Sequence, residues 1–138
     1  MGFVLDNSVA LAWCFEDEQT EAIMALLDRV TDTGAFAPQL WPVEALNGLL
    51  MAERRKRIDA ARRHQLAGFL AELPIAIDGE TATRLWHPTA QLAEDHKLTA
   101  YDATYLELAL RLDLPLATSD KPLIAAAQGS GIPLLPTR

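Results

Sequence analysis

Apolar positions along the chain follow two rhythms that take turns. Short apolar runs recur at residues 2–6 (GFVLD), around Phe36 (FAP), and at 75–78 (IAID), 114–118 (LPLAT) and 132–135 (IPLL). Each is too short for a helix and bounded by turn-forming residues, so each predicts a buried strand. Between them the apolar residues recur at helical spacing. Ser8 is a plausible N-cap for a helix from about Val9. Ile23, Met24, Leu27 and Val30 form a stripe that Thr20 opens and Gly34 closes. Val43, Leu46, Leu49 and Leu50 mark a helix from Pro42 to about Arg57. Asp59 caps the next, which carries Leu66, Phe69, Leu70 and Leu73 and is stopped by Pro74. Residues 80–98 read as helical, but Pro88 suits a first turn better than an interior, so two pieces are expected there. Helices over Thr99–Asp113 and Asp120–Gln128 complete the pattern, the second ended by Gly129. Strands alternating with helices predict an α/β fold with a parallel sheet covered on both faces.

Composition narrows this. A chain of 138 residues, half of them hydrophobic, is long enough for one domain, taken as 1–138, with a proper core. Cys14 is the only cysteine, which fits a reducing compartment, and it sits among Leu11, Trp13 and Phe15 as a core thiol would. No apolar stretch reaches the ~18 residues of a membrane span. The start of the chain lacks the charged and small-residue signature of a signal peptide, so the expectation is a cytoplasmic protein with no membrane partner.

The net charge is −7, which argues against nucleic-acid binding, yet six of the twelve Lys and Arg residues lie between 54 and 63. That run reads either as a solvated helix face or as a ridge that contacts phosphates, with Arg54, Arg55 and Arg57 at its centre.

Four acids carry the chemistry. Asp6 ends the first strand, and Glu44 falls in the first turn of the helix that Pro42 starts. Asp102 stands three residues after Thr99, an approximate capping box, and Asp120 lies between a strand and a helix. Each alone is explained by the affinity of acids for helix N-termini. In a parallel α/β sheet, however, strand C-termini and the N-termini of following helices share one edge, where such folds bind ligands. Two carboxylates ~4 Å apart repel by about 4 kcal/mol at an effective dielectric of 20. Four together therefore call for protons or cations; divalent metal compensates more than helix N-termini do, and all-oxygen ligation suits Mg2+ or Mn2+. Ser8 and Thr118, each two residues from an acid, are placed either to cap and turn or to orient a carboxylate or water. Asn47 shares a helix face with Glu44. His64, His87 and His96 lack metal-ligand spacing, and Asp78 ends a strand without a comparable helix start.

The stretches FVLDNSVALAW, PQLWPVEALNGLL, LTAYDATYLELALRLDLPLATSD and GIPLLP resemble the PIN-domain ribonucleases, in particular the VapC-type toxins of prokaryotic toxin–antitoxin pairs. The resemblance covers essentially the whole chain. It implies a PIN-like three-layer fold with a five-stranded parallel sheet flanked by helices. It implies an acidic quartet at Asp6, Glu44, Asp102 and Asp120, with Thr118 at the family's hydroxyl position and Asn47 where Asn is frequent. It also implies Mg2+- or Mn2+-dependent endonucleolytic cleavage of RNA, a cognate antitoxin that blocks the site, and pairing of two toxin subunits. Two other readings stand beside it. A PIN-fold binding module without catalysis would have no use for an intact quartet. An Asp phosphoacceptor or phosphatase would use Asp6, but has Ser8 where a dehalogenase-like site wants Asp, and leaves Glu44 and Asp102 unexplained.

Overall fold

Five short strands, all parallel, lie in the order β3-β2-β1-β4-β5 in a computed structural model that describes residues 2–136. They are β1 (Val4–Leu5), β2 (Ala35–Ala37), β3 (Ile75–Ile77), β4 (Leu116–Ala117) and β5 (Leu134–Leu135). Val4 sits opposite Phe36 on one side and Leu116 on the other. The paired stretches are shorter than the apolar runs that predicted them, although the carbonyls of buried Phe3 and of Pro115 carry the bonding one residue further, to the Phe36 and Val4 N–H groups. The helices are α1 (Asn7–Ala12), α2 (Glu21–Thr33), α3 (Trp41–Arg54), α4 (Ala60–Glu72), α5 (Thr81–Arg84), α6 (Ala90–His96), α7 (Ala100–Leu112) and α8 (Lys121–Gly129). This is the PIN-like α/β architecture, and β1 at its centre makes the switch point: chain order runs outward through β2 and β3 on one side and β4 and β5 on the other.

Local chemistry sets most of the boundaries. Thr20 accepts the Ile23 N–H and Asp59 the Arg62 N–H, as caps should. Gly34 leaves α2 at φ +75°, and a Cβ there would stand 2.8 Å from the Pro74 carbonyl oxygen, so glycine is required for the entry to β2. Ser8 is not the cap of α1. Asp6 takes that place, with its carboxylate accepting the Ser8 N–H, because the helix begins two residues earlier than the apolar pattern shows. Trp41 rather than Pro42 opens α3, which ends at Arg54. The break at Pro88 is a kink: His87 has extended backbone (φ −169°, ψ 128°) between α5 and α6.

The core runs under the sheet centre. α7 is its spine: every residue from Ala103 to Ala109 is buried, including Tyr105, Leu106 and Leu108. Each large apolar side chain so buried contributes roughly 1.5–3 kcal/mol. α1 packs closely on α3 at Gly48, where a Cβ would meet Leu11 Cδ1 at 2.5 Å. That approach draws the helix carrying Glu44 toward the strand end carrying Asp6. Cys14 is buried in this core, and burial pushes its thiol up to about 11, well away from a nucleophile. Among the described residues no helix is long and apolar enough to cross a membrane.

Candidate active site

Asp6 leaves the sheet at the C-terminal end of β1, where its N–H donates to the Ala117 carbonyl of β4 (3.0 Å). This bond sets the two strand ends side by side. Across them the Thr118 hydroxyl donates to Asp6 Oδ2 at 2.8 Å and accepts the Asp120 N–H at 3.0 Å. The Ser8 hydroxyl donates to the same Asp6 oxygen at 2.6 Å and accepts the Ser119 N–H at 2.9 Å. Two hydroxyls thus lock one carboxylate and tie the β1 and β4 loops together. Asp120 caps α8, accepting the Leu123 N–H at 3.1 Å.

The other two acids come from the helices above. Glu44, half-buried in the first turn of α3, accepts the Tyr105 hydroxyl at 2.6 Å. Asp102, in the first turn of α7, is placed by Thr99, whose hydroxyl accepts its N–H at 3.1 Å. Tyr105 lies three residues beyond Asp102 on one helix face, so α7 delivers one acid and fixes another. The i+3 spacing was the signal that could have revealed Tyr105 from the sequence.

The electrostatics show how close the four acids are. Burial, then the charges of Asp120, Asp6 and Glu44, push the Asp102 carboxyl up to about 6, and a hydrogen bond with Asp120 helps hold its proton. Burial also raises Asp6, against the bonds from Ser8 and Thr118, with the Asp120 charge adding to it. Glu44 is raised by burial and by Asp6, while Tyr105 works the other way. The Tyr105 hydroxyl is itself pushed far up by burial and by Glu44, so it stays a donor.

No three His, Cys, Asp or Glu side chains among the described residues stand close enough to cage a bare ion. Mg2+ seldom needs such a cage: it keeps several waters and takes only one or two carboxylates directly. Hard oxygen donors that raise one another's proton affinity suit a hydrated divalent cation, and the same donors suit Zn2+ poorly. Asp6, Glu44, Asp102 and Asp120 are the residues present that could hold it.

The other expected site residues divide. Ser8 and Thr118 join the cluster through Asp6. Asn47 is exposed one turn beyond Glu44. Arg54 and Arg55 are exposed at the far end of α3, roughly 15 Å along its axis from Glu44 at 1.5 Å per residue. Arg57 is not simply offered to solvent: it bonds Asp17 (2.9 Å) and Glu18 (3.2 Å) and lies 4.2 Å over the Phe15 ring. Asp78, at the end of β3, is taken up by Arg111 through two bonds of 3.1 and 2.6 Å, which hold its carboxyl below the usual range although burial opposes them.

Residues 3–129 match the PIN domain family. The chain belongs to it. PIN domains are generally nucleases, and those nucleases usually use divalent metals. No curated protein sequence matches the chain. Among solved structures the PIN fold seen here is similar to PAE2754 from Pyrobaculum aerophilum (24% identity, TM-score 0.69, covering 97% of this chain and 83% of that one). It is also similar to FitAcB from Neisseria gonorrhoeae (18%, 0.66, 97% and 96%). A third is VapBC2 from Rickettsia felis bound to a DNA fragment from their promoter (14%, 0.67, 97% and 97%).

Proposed function

We propose that this PIN domain is a Mg2+- or Mn2+-dependent endoribonuclease and the VapC-type toxin of a type II toxin–antitoxin pair, working in the cytoplasm. The observation that carries the catalytic part is the placement of four acids from four segments: Asp6 and Asp120 tied together through Thr118, and Glu44 and Asp102 brought up by α3 and α7, with burial and then their mutual charge raising the Asp102 carboxyl. Carboxylates so arranged are costly without a cation, and structural caps have no reason to converge.

Asp6, Glu44, Asp102 and Asp120 would hold a divalent ion, which would supply Lewis-acid polarisation of the phosphodiester. The protein's own part is orientation. Ser8 and Thr118 fix the Asp6 carboxylate, and Tyr105 fixes Glu44 by one oxygen, leaving its other free to steer a water toward phosphorus. The N-terminal turns of α3, α7 and α8 point at the same edge and favour the anionic substrate there.

The toxin reading rests on the resemblance and on neighbours solved as VapBC2 and as FitAB bound to DNA. An antitoxin helix finds a groove between α3 and α4, lined by Trp41, Leu46, Leu49 and Leu70, with exposed Val43 beside it.

The test is cleavage of single-stranded RNA by the purified chain with Mg2+, Mn2+ or chelator. Asp102→Asn and Asp6→Asn keep shape and remove charge, so cleavage should fall about a hundredfold or more with the fold intact by circular dichroism. Full Mg2+-dependent activity in Asp102→Asn would overturn the assignment.

A further inference from the structure

A groove of about 790 Å³ opens beside Thr118, which bonds Asp6 and Asp120, between the start of α2, the face of α8 and the end of β5. Thr118 and Ser119 line it, so a strand that crosses the Asp6–Asp120 end of the carboxylate site has a path into it. Its walls are aliphatic: Ile124 from α8, and Ile132, Leu134 and Leu135 leading through β5. Its polar groups are few and placed apart. Lys121 stands at the acid end, directly after Asp120, and Gln128 lies on the same face of α8, two turns on. Glu18, just before α2, also lines the groove.

We infer that this groove receives one nucleotide of the RNA strand beside the scissile phosphate, with its base between the aliphatic walls and its phosphate at Lys121. The inference rests on the nuclease reading of the neighbouring acids. An acidic protein repels a polyanion, so a cation is needed where the backbone leaves the site, and Lys121 is the cation lining the groove. The volume falls in the range of small-ligand sites, and apolar walls with a few polar groups are how enzymes hold an unstacked base. An apolar peptide would desolvate Lys121 and Gln128 and offer them no polar partner.

The polar groups also set a preference. Glu18 Oε2 accepts from Arg57, and a carboxylate accepts only. It favours bases that present an exocyclic amine over uracil, whose one donor, N3–H, is flanked by two carbonyl oxygens that repel a carboxylate. Gln128 can donate or accept and does not discriminate. Discrimination against uracil at one position beside the cut should be about tenfold.

The experiment titrates the full chain with AMP, CMP, UMP or inorganic phosphate and follows the Ile124, Leu134 and Leu135 methyl resonances. In parallel, the products of cleaving a random-sequence single-stranded RNA are sequenced. Three proteins are compared: wild type, Ala125→Trp, which fills the groove from an exposed helix position, and Glu18→Gln, which keeps a hydrogen bond for Arg57. AMP and CMP should shift the methyls, UMP about tenfold more weakly and phosphate not at all. Ala125→Trp should abolish the shifts and flatten the cleavage preference, and Glu18→Gln should bring UMP level with the others. Methyl shifts with phosphate alone, shifts that survive Ala125→Trp, or an unchanged cleavage profile in that variant would each overturn the inference. Methyl shifts in a wild-type chain that cuts no RNA keep the groove and overturn the nuclease reading instead.

Discussion

At the scale of single residues, the acids store a conflict that a bound cation would resolve. Asp102 ionises near 3.8 in an unstructured chain and at about 6 in the folded one. A carboxyl raised by folding adds stability below the unfolded value and loses it as pH climbs through the folded one. Asp6 and Glu44 shift in the same direction. The melting temperature of the metal-free protein should therefore fall between pH 4 and 7 relative to that of Asp102→Asn, which lacks the group. Mg2+ competes with those protons, so its stabilisation should be large at pH 7.5 and small at pH 5. At a hundred times the dissociation constant the gain at the higher pH is about 2.7 kcal/mol. Thermal melts of both proteins, with chelator and with Mg2+, check it; equal Mg2+ stabilisation at both pH values would mean the cation binds elsewhere.

Elements show what pattern reading reaches and where it stops. Caps made within a few residues were legible: Thr20, Asp59 and Thr99 all bond where the sequence put them. Helix α1 was misplaced because Asp6 and Ser8 both have capping side chains, and periodicity cannot choose between them. The four acids were legible as helix-start acids brought to one edge. Of their supports, Ser8 and Thr118 were legible from their closeness to Asp6 and Asp120, but that Thr118 bonds Asp6 across 112 positions, and that Tyr105 reaches Glu44 across 61, no local pattern shows. The same blindness affected the basic run. Arg57 finds Asp17 and Glu18 some 40 positions away, so the element splits into a docked residue and an exposed tip. If the tip holds RNA, replacing Arg54 and Arg55 with Gln should lower the salt slope of binding by about 2. Arg57→Ala should act on the fold instead, costing about 1 kcal/mol from its exposed ion pairs and ring contact. Salt titrations of RNA affinity beside urea melts separate the two; an unchanged slope in the double variant returns the whole run to solvent.

At the scale of the molecule, surface apolarity and surface charge point to partners. Trp13 and Trp41 are core residues, while Trp86 is 83% exposed and Ile77 on edge strand β3 is 43% exposed. An isologous contact between two copies would cover such a face. Light scattering at micromolar concentration should give twice the chain mass, and Trp86→Ser should move it toward the monomer. The charge argues for a second partner. Four carboxylates, Asp6 buried and the other three partly exposed, make a negative focus, and a bound segment can satisfy it with one Arg, whose planar fork bonds two carboxylate oxygens and keeps its proton. Such an Arg would occupy the cation's place, and an apolar helix on the same chain would settle between α3 and α4, where Trp41 Nε1 is buried without a hydrogen-bond partner. Affinity and inhibition then come from different contacts. Replacing the penetrating Arg of the antitoxin with Ala should leave most of the binding, since the groove contacts remain, and restore RNA cleavage within the complex. Inhibition that persists undiminished with binding unchanged would mean that the antitoxin covers the RNA path, and that the acids stay free to hold their metal inside the complex.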